Sequence, residues 1–221
     1  MKNILITGTT KGIGEALFKM LNDDFHVITI NRKKTDKTEN YICDLEDLSS
    51  VEILINHFIE EGFFFDTVIC NAGVYLDDPR KTDLDIMSLD YRCLEKTIRI
   101  NFLSNFIITK NLINEGRVRK IILISSGMGR LSEFDNLSYA YRCSKLLLNT
   151  LTISLSKVIE QNNIPISIVS VCPGWVKTDM GTMHGLIDPE EAACYIKLLI
   201  DEIDDNGAFL RYSEKLNWNS K

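Results

Sequence analysis

This chain has few of the residues that build metal centres or covalent scaffolds, and those it has are dispersed. Its six cysteines stand at Cys43, Cys70, Cys93, Cys143, Cys172 and Cys194, and its three histidines at His26, His57 and His184. No Cys-x-x-Cys or paired His motif occurs, so zinc and disulfide frameworks are disfavoured and free, mostly buried thiols are expected. Only 4 prolines and 12 glycines occur in 221 residues, which excludes fibrous and low-complexity architectures. No apolar run approaches the roughly 18 residues of a transmembrane helix. The opening MKNILITGTT has only Ile4-Leu5-Ile6 before Thr7 and Gly8, too little for a secretory signal. There is no excess of positive charge either: 25 Lys+Arg against 31 Asp+Glu leave a net −6, which argues against nucleic acid as the main partner. A cytoplasmic globular protein with no membrane or nucleic-acid partner is the expectation.

What is present is alternation. Short β-branched runs at Asn3–Thr7, His26–Ile30, Tyr41–Cys43, Asp66–Cys70, Lys120–Ser125, Ile164–Cys172 and Ala208–Arg211 are separated by segments of helical period. Ile13, Ala16, Leu17, Met20 and Leu21 share one helical face, as do Val51, Leu54, Ile55, Phe58 and Ile59. Two long helices are predicted, over Leu89–Glu115 and Ser138–Asn162. A further helix starts after Asp188, with Pro189 at its first position and Glu191 three residues beyond Asp188; it carries Ala193, Ile196, Ile200 and Ile203 inward. Apolar strands alternating with helices imply an α/β, Rossmann-type doubly wound fold: one domain over residues 1–221, a mostly parallel seven-stranded sheet, helices on both faces.

Directly after the first strand comes Thr7-Gly8-Thr9-Thr10-Lys11-Gly12-Ile13-Gly14. A nucleotide diphosphate needs a sharp turn, close approach to backbone, and free N–H groups at a helix start; Gly8, Gly12 and Gly14 meet these needs. No Gly-Lys-Ser/Thr follows, so a P-loop is excluded. An acidic residue closing the second strand would favour an unphosphorylated ribose. That acid is missing: Asn31-Arg32-Lys33-Lys34 stands there instead. With Lys11 in the first loop, Arg32 can hold a 2′-phosphate by charge-assisted hydrogen bonds, so NADP(H) is favoured over NAD(H).

Tyr141 and Lys145 lie one helical turn apart, so phenol and ammonium share a face, and a nearby cation favours the phenolate. The spacing alone is common; its position is informative. It lies between Ser125-Ser126-Gly127-Met128-Gly129, after the fifth strand, and Pro173-Gly174-Trp175-Val176-Lys177-Thr178, after the sixth; Asn71-Ala72-Gly73 follows the fourth. Ligands of open α/β sheets bind beyond those strand ends.

Together with Asp44 and Asn101 these motifs resemble the short-chain dehydrogenase/reductase family over Asn3 to about Asp179. Tyr139-Ala140-Tyr141-Arg142-Cys143-Ser144-Lys145, the Pro173–Gly181 segment and Asn217-Trp218 look like its C-factor and sniffer-like carbonyl reductase branch. The resemblance implies that Tyr141 exchanges a proton with the carbonyl or alcohol oxygen, that Lys145 lowers its pKa and holds the nicotinamide ribose, and that Ser126 bonds the substrate oxygen. It implies that Asn101 anchors a relay water. Gly8, Thr10, Lys11, Gly12, Ile13 and Gly14 would cradle the cofactor. Asp44 and Leu45 would flank the adenine, Ala72 and Gly73 support the adenosine ribose, and Val176 and Thr178 seat the carboxamide, with Asn71, Pro173 and Gly174 also bordering the cofactor. The expected function is reversible reduction of a small carbonyl to an alcohol. The alternative is a C-factor-like regulatory protein that binds a dinucleotide with little turnover.

Three features depart from the family pattern. Cys70 replaces an asparagine often found there, the Arg130–Leu137 loop is slightly long, and only a short stretch separates Met180 from Asp188. A shallow, open substrate pocket follows; Met180, Met183 and His184 either line it or belong to a mobile surface loop. Leu146, Leu147, Leu148, Leu151, Ile153, Leu155 and Val158 make the second long helix apolar on more than one face, so a homodimer or homotetramer is expected.

Overall fold

A computed structural model describes residues 1–36, 39–202, 205–212 and 214–218. Its strands are β1 (Asn3–Thr7), β2 (His26–Asn31), β3 (Asn40–Ile42), β4 (Phe65–Cys70), β5 (Val118–Ile124), β6 (Ser167–Val171), β7 (Ala208–Arg211) and β8 (Glu214–Lys215). Among the described residues they form one sheet in the order β3-β2-β1-β4-β5-β6-β7-β8. All neighbours are parallel except β7 and β8. The sheet thus has eight strands rather than the expected seven. The extra one is a two-residue antiparallel return pairing Leu210 with Lys215, too short to carry a periodic signal. Beyond it Trp218 stacks on buried Phe209, with ring centroids 5.1 Å apart.

Period-two alternation along the strands divides the core. Leu5, Ile28, Ile30, Val68, Ile121, Leu123 and Ile168 face one side, against α2 (Leu48–Glu60), α4 (Ser104–Asn114) and α5 (Tyr139–Gln161). Ile4, Ile6, Val27, Ile69, Ile122, Val169 and Val171 face the other, against α1 (Gly12–Leu21) and α6 (Pro189–Glu202). The central strands are apolar on both faces because both are covered. Ala193, Ile196 and Ile200 are buried as their spacing predicts; Ile203 lies outside the described residues. No helix among the described residues is long and apolar enough to cross a membrane.

Two boundaries differ for local reasons. The sixth strand begins at Ser167, not Ile164, because Pro165 has no N–H to give a ladder and Ile166 N–H turns back to the Ile164 carbonyl at 2.8 Å. The helix expected over Leu89–Glu115 starts at Tyr91, where Asp90 accepts the Arg92 N–H, and is interrupted. After α3 (Tyr91–Ile98), residues Arg99–Leu103 form a π-helical turn in which Ser104 N–H reaches the Arg99 carbonyl. Single π-turns of this kind cluster at functional sites. Asn101 sits within it. The order of strands reverses between β1 and β4, so the ligand crevice of this fold opens beyond their carboxyl ends.

Candidate active site

The loop leaving β1 is shaped by what its glycines lack. Gly8 has φ +73°, and a Cβ there would lie 2.8 Å from Ala72 Cβ. A Cβ on Gly14 would fall 2.0 Å from the Gly8 carbonyl oxygen. Asn31, buried at the end of β2, accepts the Thr9 N–H at 2.8 Å and donates to Thr9 Oγ1 and to Asn40 Oδ1. On the other side Asn71 Nδ2 donates to the Thr7 and Gly8 carbonyls, while Thr7 Oγ1 accepts the N–H groups of Asn71 and Ala72. The Asn71 side chain is therefore committed to holding the loop itself. Lys11 precedes α1 without capping it, so the N–H groups of the first helical turn are left for an acceptor from outside. Such a cradle fits a diphosphate.

Thr10 and Lys11 are exposed at the rim, and Ile13 is half-buried. Arg32, Lys33 and Lys34 are exposed beyond β2. Lys11 Nζ makes an ion pair at 2.6 Å with Asp179, from the loop after β6. Asp44 accepts the Glu46 N–H, whereas α2 is capped by Asp47 through Ser49 and Ser50, so Asp44 is not that helix's cap. Leu45 is packed in the core. Gly174, after Pro173, has φ +83°, and a Cβ there would meet the Tyr212 hydroxyl at 2.6 Å. Val176 is buried and bridges to Ile187, and Thr178 Cγ2 is 3.1 Å from where a Gly12 Cβ would be.

Tyr141, Lys145, Ser126 and Asn101 meet beside this crevice. Tyr141 is 8% exposed, Lys145 4% and Asn101 0%. Lys145 Nζ lies 5.5 Å from the Tyr141 ring centroid and donates to the Ile124 carbonyl at 2.7 Å. Ser126 lies beside the Tyr141 phenol and favours its ionised form, and its Oγ accepts the Met128 N–H at 3.2 Å. Asn101 Oδ1 accepts the Val74 N–H at 2.8 Å; its Nδ2 donates to the Val74 carbonyl and to Ser144 Oγ, both at 2.9 Å. Ser144 Oγ in turn donates to the Tyr141 carbonyl. Asn101 is thus an interior clasp, not a surface amide. Gly73 brings it close to the amine: a Cβ there would lie 3.3 Å from Asn101 Oδ1 and 3.8 Å from Lys145 Nζ.

Burial dominates the electrostatics. It pushes the Tyr141 phenol well above its ordinary range, reinforced by the neighbouring Cys172 and opposed by Ser126 and Arg80. It pulls Lys145 down to about 8, with Cys172 acting in the opposite sense. Burial thus acts on the phenol against the lowering that the sequence leads one to expect from Lys145. Desolvation of both groups outweighs their mutual attraction.

A profile of the short chain dehydrogenases matches residues 2–185. The chain belongs to the short chain dehydrogenase family. It is 28% identical over 221 residues to the 1-hydroxy-2-glutathionyl-2-methyl-3-butene dehydrogenase of a Rhodococcus species, covering 92% of each chain. To a 3-oxoacyl-acyl-carrier-protein reductase of Rickettsia typhi it is 30% identical, covering 81% of this chain and 74% of the relative. Among solved structures it is similar to the carbonyl reductase Sniffer of Drosophila melanogaster, with TM-score 0.83, 25% identity, and 99% and 100% of the two chains covered. The NADPH-bound carbonyl reductase from chicken fatty liver shares the fold at TM-score 0.80 and 21% identity, over 99% of each chain. The chain is accordingly an oxidoreductase-family protein with carbonyl reductase-like relatives.

The segment after Gly73 was readable in sequence only as a loop, and it supplies several residues near the site. Tyr75 stacks on Tyr141, with centroids 4.3 Å apart and planes 26° apart, and its hydroxyl bonds Ser138 Oγ at 2.5 Å. Asp77, 1% exposed, accepts the N–H groups of Ala140 (2.6 Å) and Tyr141 (3.3 Å). It thereby caps α5, whose own N-cap Ser138 is left-handed and gives no side-chain bond. Asp78, equally buried, holds Arg80 through both its oxygens at 2.7 and 2.8 Å. Arg80 also donates to the carbonyls of Met180 (2.7 Å) and Gly181 (3.1 Å), and Lys81 to that of Asp179 (2.5 Å). The short loop before Asp188 is thus tied down. Met180 is half-buried in it, while Met183 and His184 are exposed at its tip. The longer Arg130–Leu137 loop is braced by Arg142, which donates to the Glu133 and Leu137 carbonyls and to Asp135 at 2.7 Å.

Proposed function

We propose that this chain acts as one catalytic domain, an NADP(H)-dependent carbonyl reductase and alcohol dehydrogenase for small substrates. The observation that carries this reading is the meeting of Tyr141, Lys145 and Ser126 on one side of the crevice opened by the glycine turn. When bound, the nicotinamide dinucleotide supplies or accepts the hydride. Tyr141 donates the proton to the oxygen of the carbonyl in reduction and removes it from the alcohol in oxidation. Ser126 offers its hydroxyl to the same oxygen, a fixed dipole aimed where charge develops. Lys145 stands behind the phenol to favour phenolate and to bond the ribose. Asn101 holds the wall beside the amine, where a water would relay protons. Arg32 and Lys11 select the 2′-phosphate; Lys11 exchanges Asp179 for it on binding. Thr10, Asp44, Leu45, Ala72 and Gly73 border the adenosine end, and Pro173, Gly174, Val176 and Thr178 the nicotinamide end. The substrate sits in an open cleft bordered by Met180, Met183 and His184.

The test is oxidation of NADPH with a panel of aldehydes, ketones and quinones. Turnover by the wild-type chain that is lost at least a hundredfold in Tyr141→Phe, with NADPH affinity retained, supports the reading. Tight NADPH binding with no turnover on any compound overturns it in favour of a regulatory dinucleotide binder. Assembly as a homodimer or homotetramer belongs to the same proposal. Phe106 on α4 and Val158 on α5 are exposed, and Leu146 and Leu147 on α5 are half-buried. A monomeric mass at micromolar concentration would contradict it.

A further inference from the structure

Tyr141 is flanked by more than its lysine. Lys145 lies over its ring at 5.5 Å, Tyr75 stacks on it at 4.3 Å, and the Arg80 guanidinium packs on Tyr75 at 5.7 Å from that ring's centroid. Two aromatic rings are therefore held in a chain of contacts with a cation at each end. The arrangement is anchored at every member. Asp78 grips Arg80 with both oxygens, Ser138 bonds the Tyr75 hydroxyl, and Asp77 fixes the backbone of Tyr141. Asp77 and Asp78 are each 1% exposed, so these anchors are built into the interior.

The geometry points to Tyr75 and Arg80 as a positioning pair for the reaction: Tyr75 restricts the phenol of Tyr141 to one orientation, and Arg80 adds a standing positive field that favours its ionised form. This rests on the oxidoreductase reading above. Lys145 is pulled down to about 8, so its charge fades as the pH rises past that value. A guanidinium stays protonated throughout. The other groups facing Tyr141 are the Ser126 hydroxyl after β5, the Cys172 thiol at the end of β6, and the Asp77 carboxylate beneath the helix start. Cys172 is itself bonded by Arg211 Nη2 at 3.4 Å and by the Gly127 N–H at 3.3 Å. The stack also covers the phenol, leaving it 8% exposed.

The sign follows directly. A cation favours phenolate, so removing it moves the phenol's ionisation to higher pH. A unit charge beyond the first shell, partly offset by its own carboxylate, corresponds to about three- to tenfold less phenolate at a fixed pH. In Arg80→Met the acid limb of kcat/KM for alcohol oxidation should therefore move up by about half to one pH unit, with NADPH affinity within about twofold. Arg80→Lys, which keeps the charge, should restore most of that shift. Tyr75→Leu should lower kcat with little change in KM. A second measurement does not need turnover: tyrosine labelled with carbon-13 at Cζ, its Tyr141 resonance assigned by loss in Tyr141→Phe. The onset of ionisation should move to higher pH in Arg80→Met. An unmoved acid limb in active, folded Arg80→Met, or an equal shift in Arg80→Lys, overturns the proposal. If the wild-type chain turns over nothing, the function reading fails separately, and the resonance decides alone: the same onset in both proteins sinks the role of Arg80.

Discussion

Replacing Asp77 with alanine tests how α5 is started. The helix begins at Tyr139 after a left-handed Ser138 that gives no cap of its own. Its early N–H groups are met by a carboxylate from the loop after β4, at 2.6 Å to Ala140 and 3.3 Å to Tyr141. Ala140 is 0% exposed, so water cannot replace the lost acceptor. A hydrogen bond to a charged acceptor contributes about 1.5–3 kcal/mol, and a carboxylate at a helix N-terminus adds about 0.3–1 kcal/mol. Counting the longer bond lightly, Asp77→Ala should destabilise the protein by about 3 kcal/mol. For a chain of this size each kcal/mol moves Tm by about 2–4 °C, so a fall of about 6–12 °C is expected. Asp77→Asn keeps an acceptor oxygen but not its charge, and should lose about half as much. Urea denaturation at neutral pH measures both. Because the same carboxylate holds the Tyr141 backbone, kcat should fall in the folded fraction of Asp77→Ala as well. Stability within about 0.5 kcal/mol of wild type would refute the idea that the helix start depends on this distant acid.

Gly14→Ala, whose Cβ would lie 2.0 Å from the Gly8 carbonyl oxygen, should abolish NADPH binding measured by fluorescence and lower Tm, at about 1–3 kcal/mol or more for overpacking. Lys145 has a folded pKa near 8, depressed from 10.5 by burial, so in that interval the unfolded state binds the extra proton and stability rises with pH. Lys145→Met should remove this rise: the stability of wild type relative to the variant, by urea titration, should grow by about 1–3 kcal/mol from pH 8 towards 10.5. Arg32→Ala should reduce the preference for NADPH over NADH in kcat/KM by about tenfold, and equal values for both cofactors in the wild-type chain would remove Arg32 from the site.

Most of the sheet was legible because its strands are short apolar runs broken by helices of clean period. Both the 3.6-residue stripe of Val51, Ile55 and Phe58 and the two-sided burial of Ile4, Leu5 and Ile6 follow from pattern alone. The grouping of Tyr141, Lys145 and Ser126 was legible because strand ends of such sheets share an edge. The misses have a common origin in contacts far apart along the chain. The Asn101 side chain is held by Val74, and the start of α5 by Asp77. Nothing near Tyr139 announces either. The upward push on the phenol was not legible, because a pairwise attraction is visible in sequence while burial, a property of the whole fold, is not. Tyr75 and Arg80 carry no spacing signal, since their loop has no period.

The bridge between Lys11 and Asp179 joins the two lips of the crevice, with both side chains more than 70% exposed. So exposed a pair holds only weakly, and less as salt rises. A dinucleotide arriving between the lips must part this contact and yet is drawn by the same lysine. Added electrolyte therefore loosens the doorway while dulling the attraction towards it, and the entry rate should respond only shallowly to ionic strength.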